Sequence, residues 1–252
     1  MPTHSNNDLI ISTTNGAVLE IQINRPDKLN ALTDYMYGSL IEKLKQAEND
    51  SAIKVILLRS SGPHFSAGND LADFLEVEFN FESNVIQFLV TLARLTKPLI
   101  AAVNGSAVGI GSTLLLHCDL VYAAADTKFS VPFIKLGLTP EGGSSQLLAE
   151  RCGTLKANDW LLTGRNVLAD EALACGLINQ VNKDAESNWD AAMICAQKLA
   201  KNSTDVLIET KKLLKADQIP AVVELIRKEA EVFLQRLQSA EAKTAFEAFL
   251  KR

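Results

Sequence analysis

Three short, unbroken apolar runs constrain this chain most: Val55-Ile56-Leu57-Leu58, Leu99-Ile100-Ala101-Ala102-Val103 and Leu120-Val121-Tyr122-Ala123-Ala124. Such runs have the pattern of strands buried on both faces. Helix-patterned segments fall between them, near 81–95 and 107–117. Strands alternating with helices predict an α/β core.

The flanking segments extend that pattern. Residues 9–13 and 17–23 are β-rich and flank Asn15-Gly16, a hairpin signal because both turn positions need positive φ. The stretch from Asn24 to Asn30, with Pro26 inside it, breaks into a loop. Thr33 can cap a helix running to about Asn49, with Met36, Leu40, Ile41 and Leu44 on one face. From about 143 the pattern turns helical, with helices predicted over 143–151, 154–162, 170–175, 186–201, 203–215 and 221–250, and one late strand over 178–181. We divide the chain into an α/β core over 1–200, which would hold the ligand site, and a helical region over 201–252 attached to it. Its last predicted helix carries Val223, Ile226, Ala230, Phe233 and Leu237 at helical spacing, a face that needs the core or a neighbouring subunit as partner.

Charge and composition exclude several classes. Lys and Arg number 25 against 30 Asp and Glu, a formal charge of −5, without the basic stripe of a nucleic-acid binder. Cys118, Cys152, Cys175 and Cys195 form no CxxC pair and read as reduced thiols. His4, His64 and His117 have no metal-ligand spacing, so no metal is expected. The polar start, Met1 to Asp8, is unlike a signal peptide, no apolar stretch is long enough for a bilayer, and the terminal Lys251-Arg252 is no peroxisomal address. The expected compartment is the cytoplasm.

Chemistry concentrates in three places. Two glycine-bearing loops each follow a predicted strand: Phe65-Ser66-Ala67-Gly68-Asn69-Asp70-Leu71 and Asn104-Gly105-Ser106-Ala107-Val108-Gly109-Ile110-Gly111. Each leads towards a helix whose first amides lack internal partners, and two such amides aimed at one point could hold an oxyanion. Read singly, either loop is equally a plain strand-to-helix turn. The third place is Pro140-Glu141-Gly142-Gly143-Ser144-Ser145. A carboxylate at the start of a helix suits the helix dipole, so Glu141 reads either as a first-turn acid or as a catalytic one. His117 reads as a core or cap residue and His64 as a loop neighbour. Ser144 and Ser145 lack the GxSxG context of a serine nucleophile.

These motifs together resemble the crotonase (enoyl-CoA hydratase/isomerase) superfamily. The resemblance rests on Asn24-Arg25-Pro26-x-Lys28-x-Asn30-Ala31-Leu32, the two glycine loops, Cys118-Asp119-Leu120-Val121-Tyr122-Ala123, Leu162-Thr163-Gly164-Arg165 and Ala169-x-Glu171-Ala172-x-x-x-Gly176-Leu177-Ile178. It covers nearly the whole chain. It implies a spiral of ββα units with a C-terminal helical region, assembled as a trimer or dimer of trimers. It also implies an oxyanion hole for a thioester carbonyl, made from the backbone N–H groups of Asn69 and Ile110, which follow Gly68 and Gly109. The stretches Lys28, Leu29 and Ala31 and Ala67, Gly68, Asp70 and Leu71 would contact CoA, with Lys28 near a phosphate. CoA is part of the substrate, and no other cofactor is expected.

The departures from the family narrow the reaction. Hydratases of this family use two glutamates, and this chain has Thr113 and Phe133 at those positions. Neither can act as a carboxylate base. The Pro140-Glu141-Gly142-x-Ser144-Ser145 segment instead resembles the Δ3-Δ2-enoyl-CoA isomerases, in which one glutamate moves the proton. The implied reaction is a double-bond shift with Glu141 as base, aided by desolvation from Phe133, Ile134 or Leu138. A second carboxylate from Asp70, Asp73, Glu76 or Glu78 stays open, as do another acyl-CoA reaction (hydration or thioester hydrolysis) and a non-catalytic acyl-CoA-binding role.

Overall fold

The computed structural model describes residues 9–76 and 79–250 of the chain. The hairpin forms, with β1 (Ile10–Asn15) antiparallel to β2 (Val18–Ile23), but its turn residues are Gly16 and Ala17 rather than Asn15 and Gly16: Asn15 pairs with Val18 inside the ladder, and Gly16, at φ 61°, supplies the positive φ. Strand β3 (Val55–Ser60) pairs parallel to β2, β4 (Leu99–Val103) to β3, β6 (Leu120–Ala124) to β4, and β9 (Gln180–Asn182) to β6. The apolar runs thus lie inside one six-stranded sheet of order β1-β2-β3-β4-β6-β9. A smaller sheet holds β5 (Ser106–Val108), β7 (Lys128–Ser130) and β8 (Asn166–Leu168), in the order β5-β7-β8.

Each turn of the spiral places one strand in each layer. The chain passes from β4 to β5, then from β6 to β7, and β5 pairs parallel to β7 with Ala107 opposite Phe129. The turn before it follows the same path: β3 leads to Ser66, which bridges Ala107 in parallel. Ser66, Ala107 and Phe129 therefore occupy successive turns of one stack.

The remaining elements are helices: α1 (Asp34–Asn49), α2 (Leu71–Glu76), α3 (Asn84–Arg94), α4 (Ile110–Thr113), α5 (Ser144–Cys152), α6 (Thr154–Thr163), α7 (Ala169–Ala174), α8 (Ala185–Ala200), α9 (Thr204–Lys215), α10 (Ile219–Leu237) and α11 (Ala240–Leu250). Thr33 caps α1 as expected, its hydroxyl accepting from the Met36 amide at 3.3 Å. The inner strands of the large sheet are buried on both faces, whereas the edge strand β1 is mostly exposed. One side meets the main core, which α1, α3 and α10 help to fill; the other packs Val18, Val55, Leu57 and Ile100 against Ala192, Met193 and Ala196 of α8.

Two predicted helices are corrected. Residues 107–117 are not one helix: a three-residue strand comes first, then α4, then a 3-10 turn over Leu114–His117. Gly109, at φ 55° and ψ −121°, is where strand turns into helix. Residues 221–250 are two helices, broken at Gln238 and Ser239, because the Ser239 hydroxyl accepts from the Ala242 amide at 3.2 Å and starts α11. The strands β7 and β8 were not anticipated; three residues each is too short to leave a period.

Candidate active site

The Ser66–Ala107 bridge sets the register of the two glycine loops. Ser66 donates to the Ser106 carbonyl at 3.0 Å, and Val108 donates to the Ser66 carbonyl at 2.9 Å. Asn69 and Ile110 each lie three residues beyond a bridged residue, so their amides leave neighbouring turns of the spiral at equivalent places. Among the described residues neither amide has an acceptor in the chain. Gly68 is required by this packing. Its φ is 92°, and a Cβ there would sit 2.9 Å from the Val108 carbonyl oxygen.

The stretch from Lys28 to Leu32 is stitched to the first loop. Ala67 donates to the Leu29 carbonyl at 2.9 Å, Leu32 to the Gly68 carbonyl at 2.8 Å, and Asp70 to the Leu32 carbonyl at 2.8 Å. Lys28 and Leu29 are exposed there, whereas Ala31, Ala67 and Leu71 are half-buried and Gly68 is buried. The Asp70 carboxylate meets Arg25 at 2.6 Å and accepts from the Ala72 and Asp73 amides at 3.1 and 3.3 Å, capping α2. Partial burial raises its pKa, but the Arg25 and backbone hydrogen bonds outweigh that and hold it below the usual range. Asp73 accepts from the Asp34 amide at 2.7 Å and caps α1. Both acids are thus engaged with helix termini. The Glu76 side chain and Glu78 lie outside the described residues.

Glu141 is 8% exposed. It precedes a turn of two consecutive positive-φ residues, Gly142 (φ 72°) and Gly143 (φ 80°), which swings the chain into α5. The hydroxyl of Thr113, from α4, donates to Glu141 Oε1. The turn behind Glu141 is held at three points. The Ser144 hydroxyl donates to the Glu141 carbonyl at 2.6 Å, His117 Nε2 lies 2.8 Å from the Gly142 carbonyl, and Glu229 of α10 accepts from the Gly143 and Ser145 amides at 2.6 and 2.9 Å. Burial pushes the His117 pKa down to about 4, so the ring is neutral and its Nε2–H donates to that carbonyl.

Burial pushes the Glu141 carboxyl up to about 8; the Thr113 hydroxyl opposes this and the negative charge of Glu229 adds to it. Glu141 and Asn69 are the polar side chains of a cavity whose walls are otherwise apolar, apart from the backbone of Gly142. Those walls come from Val85, Ile86 and Leu89 of α3 and Ile226, Ala230 and Phe233 of α10. The desolvating residues are therefore not those expected. Ile134 is 49% exposed, and Phe133 and Leu138, though buried, do not line the cavity. Beside Asn69, the Tyr37 hydroxyl donates to its side-chain oxygen at 2.5 Å. Burial, followed by the charges of Glu141, Asp73 and Asp34, keeps that phenol neutral well above its ordinary range.

Chemically, the arrangement offers one carboxylate of raised pKa in an apolar cavity, together with two loop amides free to donate hydrogen bonds to an oxyanion. It is suited to moving a proton on a carbon adjacent to a carbonyl. Asn69 and Glu141 line one cavity, and Thr113, three residues beyond Ile110, contacts Glu141. Lys28 is exposed beside the first loop, and the Ile110 side chain is buried. Sequence reasoning missed Glu229, and it read His117 as a core or cap residue without seeing its hold on Gly142.

A spiral of strand pairs carrying this pair of loops and a buried acid defines a crotonase-type protein. The chain belongs to the enoyl-CoA hydratase/isomerase family, whose profile matches residues 13–252. It is 32% identical over 240 residues to the mitochondrial enoyl-CoA hydratase of Pongo abelii, covering 94% of this chain and 82% of that protein. It is also 32% identical over 252 residues to enoyl-CoA delta isomerase 2 of Rattus norvegicus, covering 96% of this chain and 63% of that protein. Equal identity to a hydratase and an isomerase leaves the choice of reaction to the site. Among solved structures, that of Pseudomonas aeruginosa OdaA superposes with a TM-score of 0.94 at 39% identity, covering 97% of this chain and all of that one.

Proposed function

We propose that the protein is a Δ3-Δ2-enoyl-CoA isomerase, which moves a double bond from the 3- to the 2-position of an acyl-CoA thioester. One observation carries the reading: among the described residues, Glu141 is the only carboxylate lining the apolar cavity. Thr113 and Phe133, at the positions where the family's hydratases have their glutamates, leave no pair of acids to orient water.

Glu141 takes a proton from the α-carbon, and the C–H electrons pass through the conjugated system to the thioester oxygen. The amides of Asn69 and Ile110 donate hydrogen bonds to that oxygen and stabilise its charge. Glu141 then returns the proton to the γ-carbon, and the electrons collapse to give the trans-2-enoyl product. Losing one oxyanion donor commonly costs about 3 kcal/mol of barrier, so the two amides carry a large share of the rate. Lys28, exposed beside the first loop, meets a CoA phosphate; no further cofactor takes part. The protein works in the cytoplasm as a homotrimer or dimer of trimers.

The test is a paired assay of wild type and Glu141→Gln, on a 3-enoyl-CoA and separately on a trans-2-enoyl-CoA in water. The wild type shifts the double bond and barely hydrates, and the variant loses the shift. Efficient hydration by the wild type, or isomerisation surviving in Glu141→Gln, would sink the assignment.

A further inference from the structure

The two buried carboxylates beside the Gly142-Gly143 turn belong to elements far apart in the chain, and only one faces the cavity. Glu229 is 8% exposed, in the middle of the buried face of α10, between Ile226 and Ala230. A carboxylate there is costly unless its lone pairs are occupied. They are occupied by the first free amides of α5, from Gly143 and Ser145 at 2.6 and 2.9 Å.

We propose that Glu229 is the positioning residue for Glu141: by accepting the Gly143 and Ser145 amides, it fixes the two-glycine turn that aims the Glu141 side chain into the cavity. This rests on the reading of Glu141 as the base. A turn of two glycines has little conformational preference of its own, so its geometry must be imposed from outside. The Ser144 hydroxyl and the His117 ring hold the carbonyl side of the turn, and Glu229 holds its amide side. The same residue sets the base electrostatically. The titratable groups around Glu141 are Tyr37 on α1, His117 behind Gly142 and Glu229 on α10; α3 presents apolar side chains to the cavity. Tyr37 and His117 are both neutral near pH 7, which leaves Glu229, when ionised, as the charge that adds to the raised affinity of Glu141 for its proton; burial raises the pKa of Glu229 too, opposed by the amides it accepts.

The test compares Glu229→Gln, which keeps the size but not the charge, with Glu229→Asp, which keeps the charge but is one methylene too short to span both amides. Steady-state kinetics on a 3-enoyl-CoA are combined with an infrared titration of the protonated Glu141 carboxyl. That band is identified by its loss in Glu141→Gln. Both Glu229 variants should lower kcat by roughly tenfold or more while KM moves less, since a small misplacement of a catalytic group falls mainly on the chemical step. Glu229→Gln should also move the Glu141 midpoint below its wild-type position near pH 8. A midpoint and a kcat unchanged from wild type in Glu229→Gln would overturn the proposal. The infrared titration needs no turnover. If the wild type moves no double bond and the midpoint still shifts, the isomerase reading fails alone. If the wild type isomerises and Glu229→Gln matches it, the positioning role fails alone.

Discussion

Replacing Glu141 by Gln should make the protein more stable, by an amount that grows with pH. Burial favours the neutral acid, so the folded chain keeps the proton up to about pH 8, whereas an unfolded glutamate releases it near 4.5. A raised folded pKa contributes stability that is fully present below the unfolded pKa and is lost as pH rises to the folded one. Each pH unit in that window removes about 1.4 kcal/mol. By pH 7 the loss is about 3 kcal/mol, and above pH 8 it levels off near 5 kcal/mol. Glutamine has nearly the shape of the neutral acid, and its side-chain oxygen can still accept from Thr113, so the variant avoids the loss without leaving a cavity. For a chain of this size, 3 kcal/mol corresponds to a Tm difference on the order of 10 °C. Urea or thermal unfolding of both proteins from pH 5 to 9 reads this site in the difference, because titrating groups that do not interact with Glu141 cancel there and the coupled Glu229 enters only as a smaller contribution beside burial. A stability difference that stays flat across that range, or that favours wild type at pH 9, would refute the burial argument. The cost is the physical counterpart of a base with a raised pKa in a dry pocket, a trade of stability for activity.

The pH dependence of the reaction follows from the same group with the opposite sign of benefit. Glu141 must be ionised to act as base, so kcat/KM for a 3-enoyl-CoA should rise with pH and reach half its plateau near 8, with roughly a tenth of the plateau at pH 7. Thr113→Val removes a hydrogen bond that favours the carboxylate, so the midpoint should move above that of wild type, with the loss greatest at pH 7 and partly recovered at pH 9; a midpoint that stays or falls contradicts the assigned contact. Gly68→Ala forces a Cβ against the Val108 carbonyl at positive φ, separating the two loops. Activity should drop on the order of a hundredfold, as for a lost oxyanion donor, with a smaller loss of Tm, and an active Gly68→Ala enzyme would refute the paired-loop geometry.

The sequence carried the local devices well and the long-range ones poorly. The Thr33 cap and the three buried strands are each set by a few adjacent residues and appear where expected, and the first hairpin forms with its turn one residue later, at Gly16-Ala17. Glu141 stood out because Pro140 and the two glycines mark a special backbone. The apolar walls that desolvate it were assigned to nearby residues, although they come from α3 and α10, some fifty residues before and ninety after. Glu229 was missed for the same reason, yet a signal existed. It lies three residues after Ile226 and four before Phe233, an acid within the stripe already read as the buried face of that helix. A buried-face carboxylate at helical spacing asks for a partner, and helix α5, with its glycine-led N-terminus, was the place to look.

The residue at position 113 connects site and reaction. In a cavity this dry, two carboxylates in contact cannot both ionise, since each raises the pKa of the other. A glutamate in place of Thr113 would sit against Glu141 Oε1, where the threonine hydroxyl now donates, and would drive one of the two acids to stay protonated. The hydroxyl instead supplies a proton donor with no charge, favouring the ionised form of Glu141. Phe133 makes the complementary change, its buried ring meeting Phe233 of α10 edge to face at 6.4 Å where a second acid would require water. Among the described residues Glu141 is then the single carboxylate lining the cavity, which is the number of acid/base groups that the proposed double-bond shift needs, whereas hydration as the family's two-glutamate hydratases perform it needs two.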